Sequence, residues 1–387
     1  MHRHLPILAL AVLAVLALAL ACDGGNGSSS TPKPQATTAV PVPSPFAGIT
    51  SEVVVPTADV PVALAFAPDG RLFYAEQNTG AVRIVSAQGE LQATPFVQAQ
   101  IVPGPGWGLL GLALDPDFAS NHYVYLYLTK PTGAETAQPV VVRYTDANSK
   151  GTSPKTIVDD FPEATLYGEY LVGGDIRFGP DGYLYITVGD HISTDLAQDL
   201  SSVRGKVLRV DKSDGSAAPD NPFAGQADAD PRVFAYGFLD PHDMTFEPTS
   251  GGLFATENGT YFCCDELNAV REGEDYGWPE TGPEQNGVLP IYPFAFPNGE
   301  HIGTKVRPEG VEFVSATAYP ALGDSLLVCE EITKYMRRLV LSANQTKVTS
   351  DDVVVADCNL DIATSPDGTI YYSNATEIRK LVAGAGQ

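Results

Sequence analysis

From Val62 onward, short apolar runs alternate with turns carrying Pro and Gly, and one unit keeps returning. In each copy an apolar strand enters a Pro-containing turn, a strand rich in Tyr, Phe and Val leaves it, and an Arg- or Val-rich strand comes later. The first copy is ALAFAPDGRLFYAEQ (63–77) followed by AVRIV (81–85). The next three are LGLALDPDFASNHYVYLYLT (110–129), DIRFGPDGYLYITVGD (175–190) and DMTFEPTSGGLFATENG (243–259). The fifth is TAYPALGDSLLVCEE (317–331) and the sixth IATSPDGTIYYSNA (362–375). Pro68, Pro116, Pro180, Pro248, Pro320 and Pro366 mark the turns, where a fixed φ favours a tight reversal, helped by Asp-Gly after Pro68, Pro180 and Pro366. Period-two alternation with aromatic and β-branched residues is a strand signal. No copy can bury both faces alone, so the copies must stack on one another. An all-β, six-bladed β-propeller is predicted, with a β-sandwich as the competing arrangement. The segment SEVVV (51–55) is expected to pair with the last blade and close the ring.

The N-terminus follows another pattern. Arg3 and His4 precede an apolar run from Leu5 to Ala21, which ends at Cys22. A basic start, a short apolar stretch and small residues at its end read as an export signal, residues 1–22. Ala19-Leu20-Ala21-Cys22 resembles a bacterial lipobox, which implies acylation of Cys22, an extracytoplasmic location and a membrane contact through the lipid. An ordinary cleaved signal and an uncleaved anchor helix are the alternatives. Residues 23–45, rich in Gly, Ser, Thr and Pro, lack the large apolar side chains that would offset ordering entropy, and are expected to be a disordered tether. The propeller is assigned to residues 46–387.

Composition narrows the function classes. With 47 acidic against 23 basic residues among 387, the formal net charge is -24. Nucleic-acid binding, which relies on Lys and Arg at phosphates, is excluded as a reading. Cations or neutral sugars suit such a surface. Besides Cys22 there are four cysteines, Cys263, Cys264, Cys329 and Cys358. An even count in an exported chain favours disulfides over a metal site or a catalytic thiol.

The segments GLLGLALDPDF (108–118), GGDIRFGPDGYLYITVGD (173–190), GKVLRVDKSDGSAAPDNPF (205–223), TENG…DELN…YGWP (256–279) and LDIATSPDGTIYYS (360–373) resemble the glucose/sorbosone dehydrogenase family of soluble PQQ-dependent quinoproteins. The resemblance implies oxidation of an aldose or related alcohol, with PQQ carrying the redox chemistry and a His before the Gly-Gly pair acting as base. The matching position here is Leu171. Asp190 matches the aspartate that orients that His. PQQ is a tricarboxylate, and the family meets it with cations. Their positions fall at Leu239 (within Leu239-Asp240-Pro241), Ile332, Cys358 and Leu360, and a polar position before the Gly-Leu-Leu-Gly run falls near Gly106. His191 and His242 are the replacement candidates for a base, and a plain turn histidine is the alternative for each.

The resemblance also implies a structural Ca²⁺ held by Glu266 and the carbonyl of Tyr276, and a cofactor-side Ca²⁺ near the carbonyls of Gly259 and Thr260. Cys263 and Cys264 are expected to pair with Cys329 and Cys358. Asp175, Asp190, Asp240, Asp243 and Asp361 fall at ends of inner strands, where they would hold either a divalent cation or backbone N–H groups. Three functions follow as expectations: a PQQ-dependent sugar dehydrogenase, a non-catalytic carbohydrate- or protein-binding propeller, and a metal-dependent lactonase-like hydrolase.

Overall fold

The computed structural model describes residues 46, 48–165, 171–259, 265–279, 287–294 and 305–383. Cys22, the tether, Thr260, Cys263 and Cys264 lie outside the described residues.

Six antiparallel sheets follow one another along the chain. Their innermost strands are Pro61–Phe66, Leu109–Leu114, Ile176–Phe178, Pro241–Phe246, Pro308–Val314 and Ile362–Thr364, opening blades 1 to 6. Each inner strand packs against the inner strands of the two neighbouring blades, and Ile362–Thr364 returns to Pro61–Phe66. The ring is therefore a closed propeller. Each predicted Pro-containing turn lies between the first and second strands of its blade. Blade 6 takes its outermost strand from the N-terminal side: Ile49–Val55 pairs antiparallel with Ile378–Ala383. This is the expected closure.

The core is divided in the same way. Blades 1 and 2 share a cluster around Phe73, Phe96 and Leu126, and blades 2 and 3 share one around Tyr125, Phe161 and Ile186. Further clusters fill the remaining junctions, the last joining Leu64 and Tyr74 of blade 1 to Ala363 and Ile378 of blade 6. Strand after strand is buried on both faces, as in Leu72–Glu76, Leu184–Val188 and Leu253–Glu257. That explains why the second strands read as near-continuous apolar runs.

A polar device repeats beside these layers. Hydroxyls at the ends of second strands accept the N–H groups that open the inner strands: Asp175 N–H bonds Thr187 Oγ1 (2.9 Å), Asp243 N–H bonds Thr256 Oγ1 (3.2 Å) and Asp361 N–H bonds Ser373 Oγ (3.0 Å). Thr256 and Ser373 also donate to the next blade, to the carbonyls of Glu309 and Pro61, at 2.7 Å each.

The cysteine pairing differs from expectation. Cys329, in the second strand of blade 5, is bonded to Cys358, just before the inner strand of blade 6, with a Cα–Cα distance of 5.1 Å. Each is thus taken by the other and neither reaches Cys263 or Cys264. Both are fully buried between blades, because the tertiary contact of blades 5 and 6, invisible in sequence spacing, brings them together.

Candidate functional site

The first residues of all six inner strands converge on a cavity of about 30 Å³ at one end of the axis. Its wall is two-sided. Val62, Leu64, Leu110, Leu112 and Leu360 supply an apolar half, while Asp175, Arg177, His242, Asp243, Glu309 and Asp361 supply a polar one.

Three aspartates reach across blade junctions. Asp175 Oδ2 accepts Met244 N–H (3.0 Å), Asp243 Oδ2 accepts Val311 N–H (2.6 Å) and Asp361 Oδ2 accepts Leu64 N–H (2.6 Å). Of the five strand-end aspartates, these three do meet at the axis. Their shared cation is the guanidinium of Arg177, whose Nη2 lies 3.2 Å from Asp243 Oδ1 and whose Nη1 lies 3.7 Å from Glu312. Burial first, and then repulsion from Asp243, hold Asp175 well above the usual carboxylate range, and Asp361 is raised for the same reasons. Among the described residues, no group of three or more His, Cys, Asp or Glu could hold a metal ion.

Further out, at the mouth, lie His242 and its partners. His242 Nε2 is 2.9 Å from Glu309 Oε2. Burial alone would lower the imidazole pKa, but the Glu309 carboxylate, and after it Asp240, push it up to about 9. His242 is therefore a cation near neutrality and a hydrogen-bond donor, not a ready base. Arg307 pairs with Glu331 (3.0 Å) and stands 3.8 Å from Glu309. Lys305 donates to the carbonyl of Gly259. That carbonyl, expected to serve a cofactor-side calcium, already has a cationic partner, because the 305–307 segment folds back over the 256–259 strand end. Asp240 accepts Gly173 N–H at 3.3 Å and is raised by burial against the pull of His242 and Arg307.

Blade 3 contributes the turn after Leu184–Val188. Asp190 accepts the indole N–H of Trp278 (2.8 Å) and Ile192 N–H (2.7 Å), and burial lifts its pKa to about 6. His191 is fully buried, with neither ring nitrogen hydrogen-bonded. Leu171 meets this turn through its carbonyl, which accepts His191 N–H. Gly173 and Gly174 have φ of 66° and 130°, and a Cβ at Gly173 would lie 2.6 Å from the carbonyl oxygen of Thr187. Only glycine lets the chain pass so close to the second strand here. Ile332 is half-exposed at the rim, while Cys358 is buried in its disulfide, so neither brings a charge to the mouth.

Glu266 lies directly opposite Glu257 in strand register. Glu257 accepts Leu239 N–H and an amide hydrogen of Asn268, whose Oδ1 is buried without a partner. Burial pushes Glu266 up to about 7, and burial together with Glu266 raises Glu257. Tyr276 stacks on Phe238 at 4.5 Å and gives its hydroxyl hydrogen to Ala269, so its side chain is engaged in the core rather than turned to a ligand.

Arg177, Lys305, Arg307, Glu309 and Trp278 were not singled out in the sequence. Arg177 sits inside a strand motif and reads as an ordinary outward residue. Lys305 and Arg307 flank a repeat of irregular length, so no motif indexes them. The alternation KVRPE could have drawn notice only as a basic-acidic cluster entering a strand.

Solved structures of sugar dehydrogenases share this six-bladed fold. Residues 58–382 match the model of the Glucose / Sorbosone dehydrogenase family, and the chain belongs to that family. It is a family of PQQ-dependent sugar dehydrogenase-like propellers. Aldose sugar dehydrogenase YliI of Escherichia coli is 29% identical over 349 residues, covering 84% of this chain and 90% of the relative. The crystal structure of the soluble aldose sugar dehydrogenase from Escherichia coli in its apo-form superposes with a TM-score of 0.75 at 25% identity, covering 87% of this chain and 99% of that one. The PQQ-bound aldose sugar dehydrogenase from Streptomyces coelicolor gives 0.68 at 26% identity, covering 88% and 99%. The Hedgehog-interacting protein of Mus musculus is 31% identical over 275 residues, which is 63% of this chain and 38% of that protein.

Proposed function

We propose that this protein is an exported, lipid-anchored propeller that takes a neutral sugar or related alcohol at its channel mouth and has lost the quinone chemistry of its family. The observation that carries this reading is the state of the mouth's cations. His242 is matched by Glu309, Arg307 by Glu331, and Lys305 lies on a carbonyl. A tricarboxylate such as PQQ placed at this mouth would stand among Asp240, Glu309 and Glu331, with each nearby cation already partnered, so its charge would go uncompensated. The residues present do not fit it. The position of the family's base is Leu171, which cannot accept a proton. A neutral polyol asks instead for hydrogen-bond donors and acceptors without a net charge to match, and His242, Arg307, Glu309 and Glu331 supply both at the mouth. Membership without oxidation is consistent with relatives named for an interaction rather than for a reaction.

The test combines calorimetry with aldoses, PQQ titration followed by absorbance, and dye-linked oxidation of the same sugars. Sugar binding without PQQ saturation or turnover is the expected result; tight PQQ binding with turnover overturns it. That outcome is the second reading, PQQ-dependent oxidation, and it is favoured by His242, Lys305 and Arg307 gathering at one end of the channel.

A structural Ca²⁺ fits the Glu257–Glu266 pair. Facing carboxylates, both raised by burial and Glu257 further by Glu266, form a hard-oxygen set with the unpartnered Asn268 Oδ1 beside them, and the ion would neutralise their charge. Glu266 and the carbonyl of Tyr276 would hold it. Thermal melting with calcium or a chelator is expected to show stabilisation by the ion; identical curves would count against it.

A further inference from the structure

Polarity is inverted in the turn of residues 190–193, which joins Leu184–Val188 to Lys206–Val210 in blade 3. His191 is 0% exposed, while Ile192 beside it is 46% exposed. Neither nitrogen of the His191 ring has a hydrogen-bond partner. Both residues adopt the left-handed backbone, with φ of 53° and 61°. For Ile192, branched at Cβ, that conformation is an outlier. A buried ring without partners, an isoleucine in water and a branched residue at positive φ are each unfavourable, and one rearrangement would relieve all three. The turn's anchors lie on Asp190. Its N–H bonds the Leu239 carbonyl (2.8 Å), its carbonyl accepts Ser193 N–H (2.9 Å), and its side chain holds the Trp278 indole at 2.8 Å. Among the described residues, two backbone N–H bonds of the moving pair oppose a rotation, from His191 to Leu171 O and from Ile192 to Asp190 Oδ1.

We propose that this turn is a two-state latch in which His191 and Ile192 exchange places, the imidazole swinging to the channel mouth and the isoleucine packing inside. Asp190 lies close enough to Asp240 of the mouth for their charges to interact, so an outward His191 joins that side of the site. It adds an ionisable donor and acceptor for a ligand hydroxyl. The inference does not depend on the loss of quinone chemistry.

Acid favours the outward state. Inside, burial and then the Arg204 guanidinium hold the imidazole down to about 3, and among the described residues Arg204 and Asp190 are the charged groups beside it. Outside, it regains its ordinary value of about 6.5. Going from pH 8 to pH 5 therefore raises the outward-to-inward ratio about 30-fold.

The test is long-range proton–nitrogen NMR of the histidine rings in the full-length chain, with His191→Leu for assignment. The expected result is exchange between two ring environments and a titration midpoint well above the buried value. One neutral, pH-independent ring signal throughout the range from pH 8 to pH 5 overturns the proposal. Ile192→Asn supplies a side chain at ease with positive φ and with water, and should cut the outward population several-fold. If His191→Leu does not fold, signal loss in His191→Gln gives the assignment and Ile192→Asn still decides. An unchanged exchange contribution in Ile192→Asn counts against the latch.

Discussion

Arg177 faces Asp175, Asp243, Asp361 and Glu312, and burial, which would lower its pKa, is outweighed by Asp243 first and Asp175 next, so it stays charged. One guanidinium cannot neutralise four carboxylates, so the channel keeps protons. Asp175, raised by burial and by Asp243, contributes stability that is complete below the ordinary carboxylate range and disappears as pH rises through its elevated folded value. Asp175→Asn keeps an acceptor for Met244 N–H and removes the charge. The variant is expected to melt at least as high as the parent at pH 8 and to show a flatter pH dependence; a lower midpoint at pH 8 would refute the account of a raised, destabilising Asp175 carboxyl. The sequence already marked the three axial aspartates by their strand-end positions. It could not mark Arg177, because the identity of their counter-ion depends on which side chain the ring points inward.

At the scale of the element, the strands and their Pro-containing turns were legible because they rest on local alternation and fixed φ. The hydroxyl links were not, since they connect a second strand to its own inner strand and, at Thr256 and Ser373, to the blade beyond. Thr256 accepts Asp243 N–H and donates to Glu309 O while fully buried. Thr256→Val keeps the shape and leaves both backbone groups unpaired, at an expected cost of about 1–3 kcal/mol. Equilibrium urea unfolding measures it, and a loss below a few tenths would show that the link is not holding blades 4 and 5. The Asp190 turn belongs to the same lesson. Its residues are ordinary in sequence, and only its packing reveals that the imidazole and the isoleucine are each in the other's natural environment.

For the whole molecule, closure of the ring is the decisive event. The pairing of Ile49–Val55 with Ile378–Ala383 joins the two ends of the fold, and Cys329–Cys358 staples blade 5 to blade 6 across 29 residues. Constraining a loop of that length in the unfolded chain contributes about 3–4 kcal/mol in the loop-entropy model. The Cys329→Ala/Cys358→Ala variant should therefore melt several degrees lower than the parent. Equal midpoints, or a bond missing from mass analysis of the unreduced protein, would exclude a stabilising role.

The amino-acid sequence alone determined the number of blades, the turn positions, the strand that closes the ring and the family, because each depends on a pattern repeated locally or on a motif read in order. The tertiary structure decided the cysteine partners, the counter-ion of the axial aspartates and the balance of charge at the mouth. Those are properties of side chains that meet from different blades. Their energies are set by burial and by neighbours remote in sequence, so no single stretch of the chain contains them.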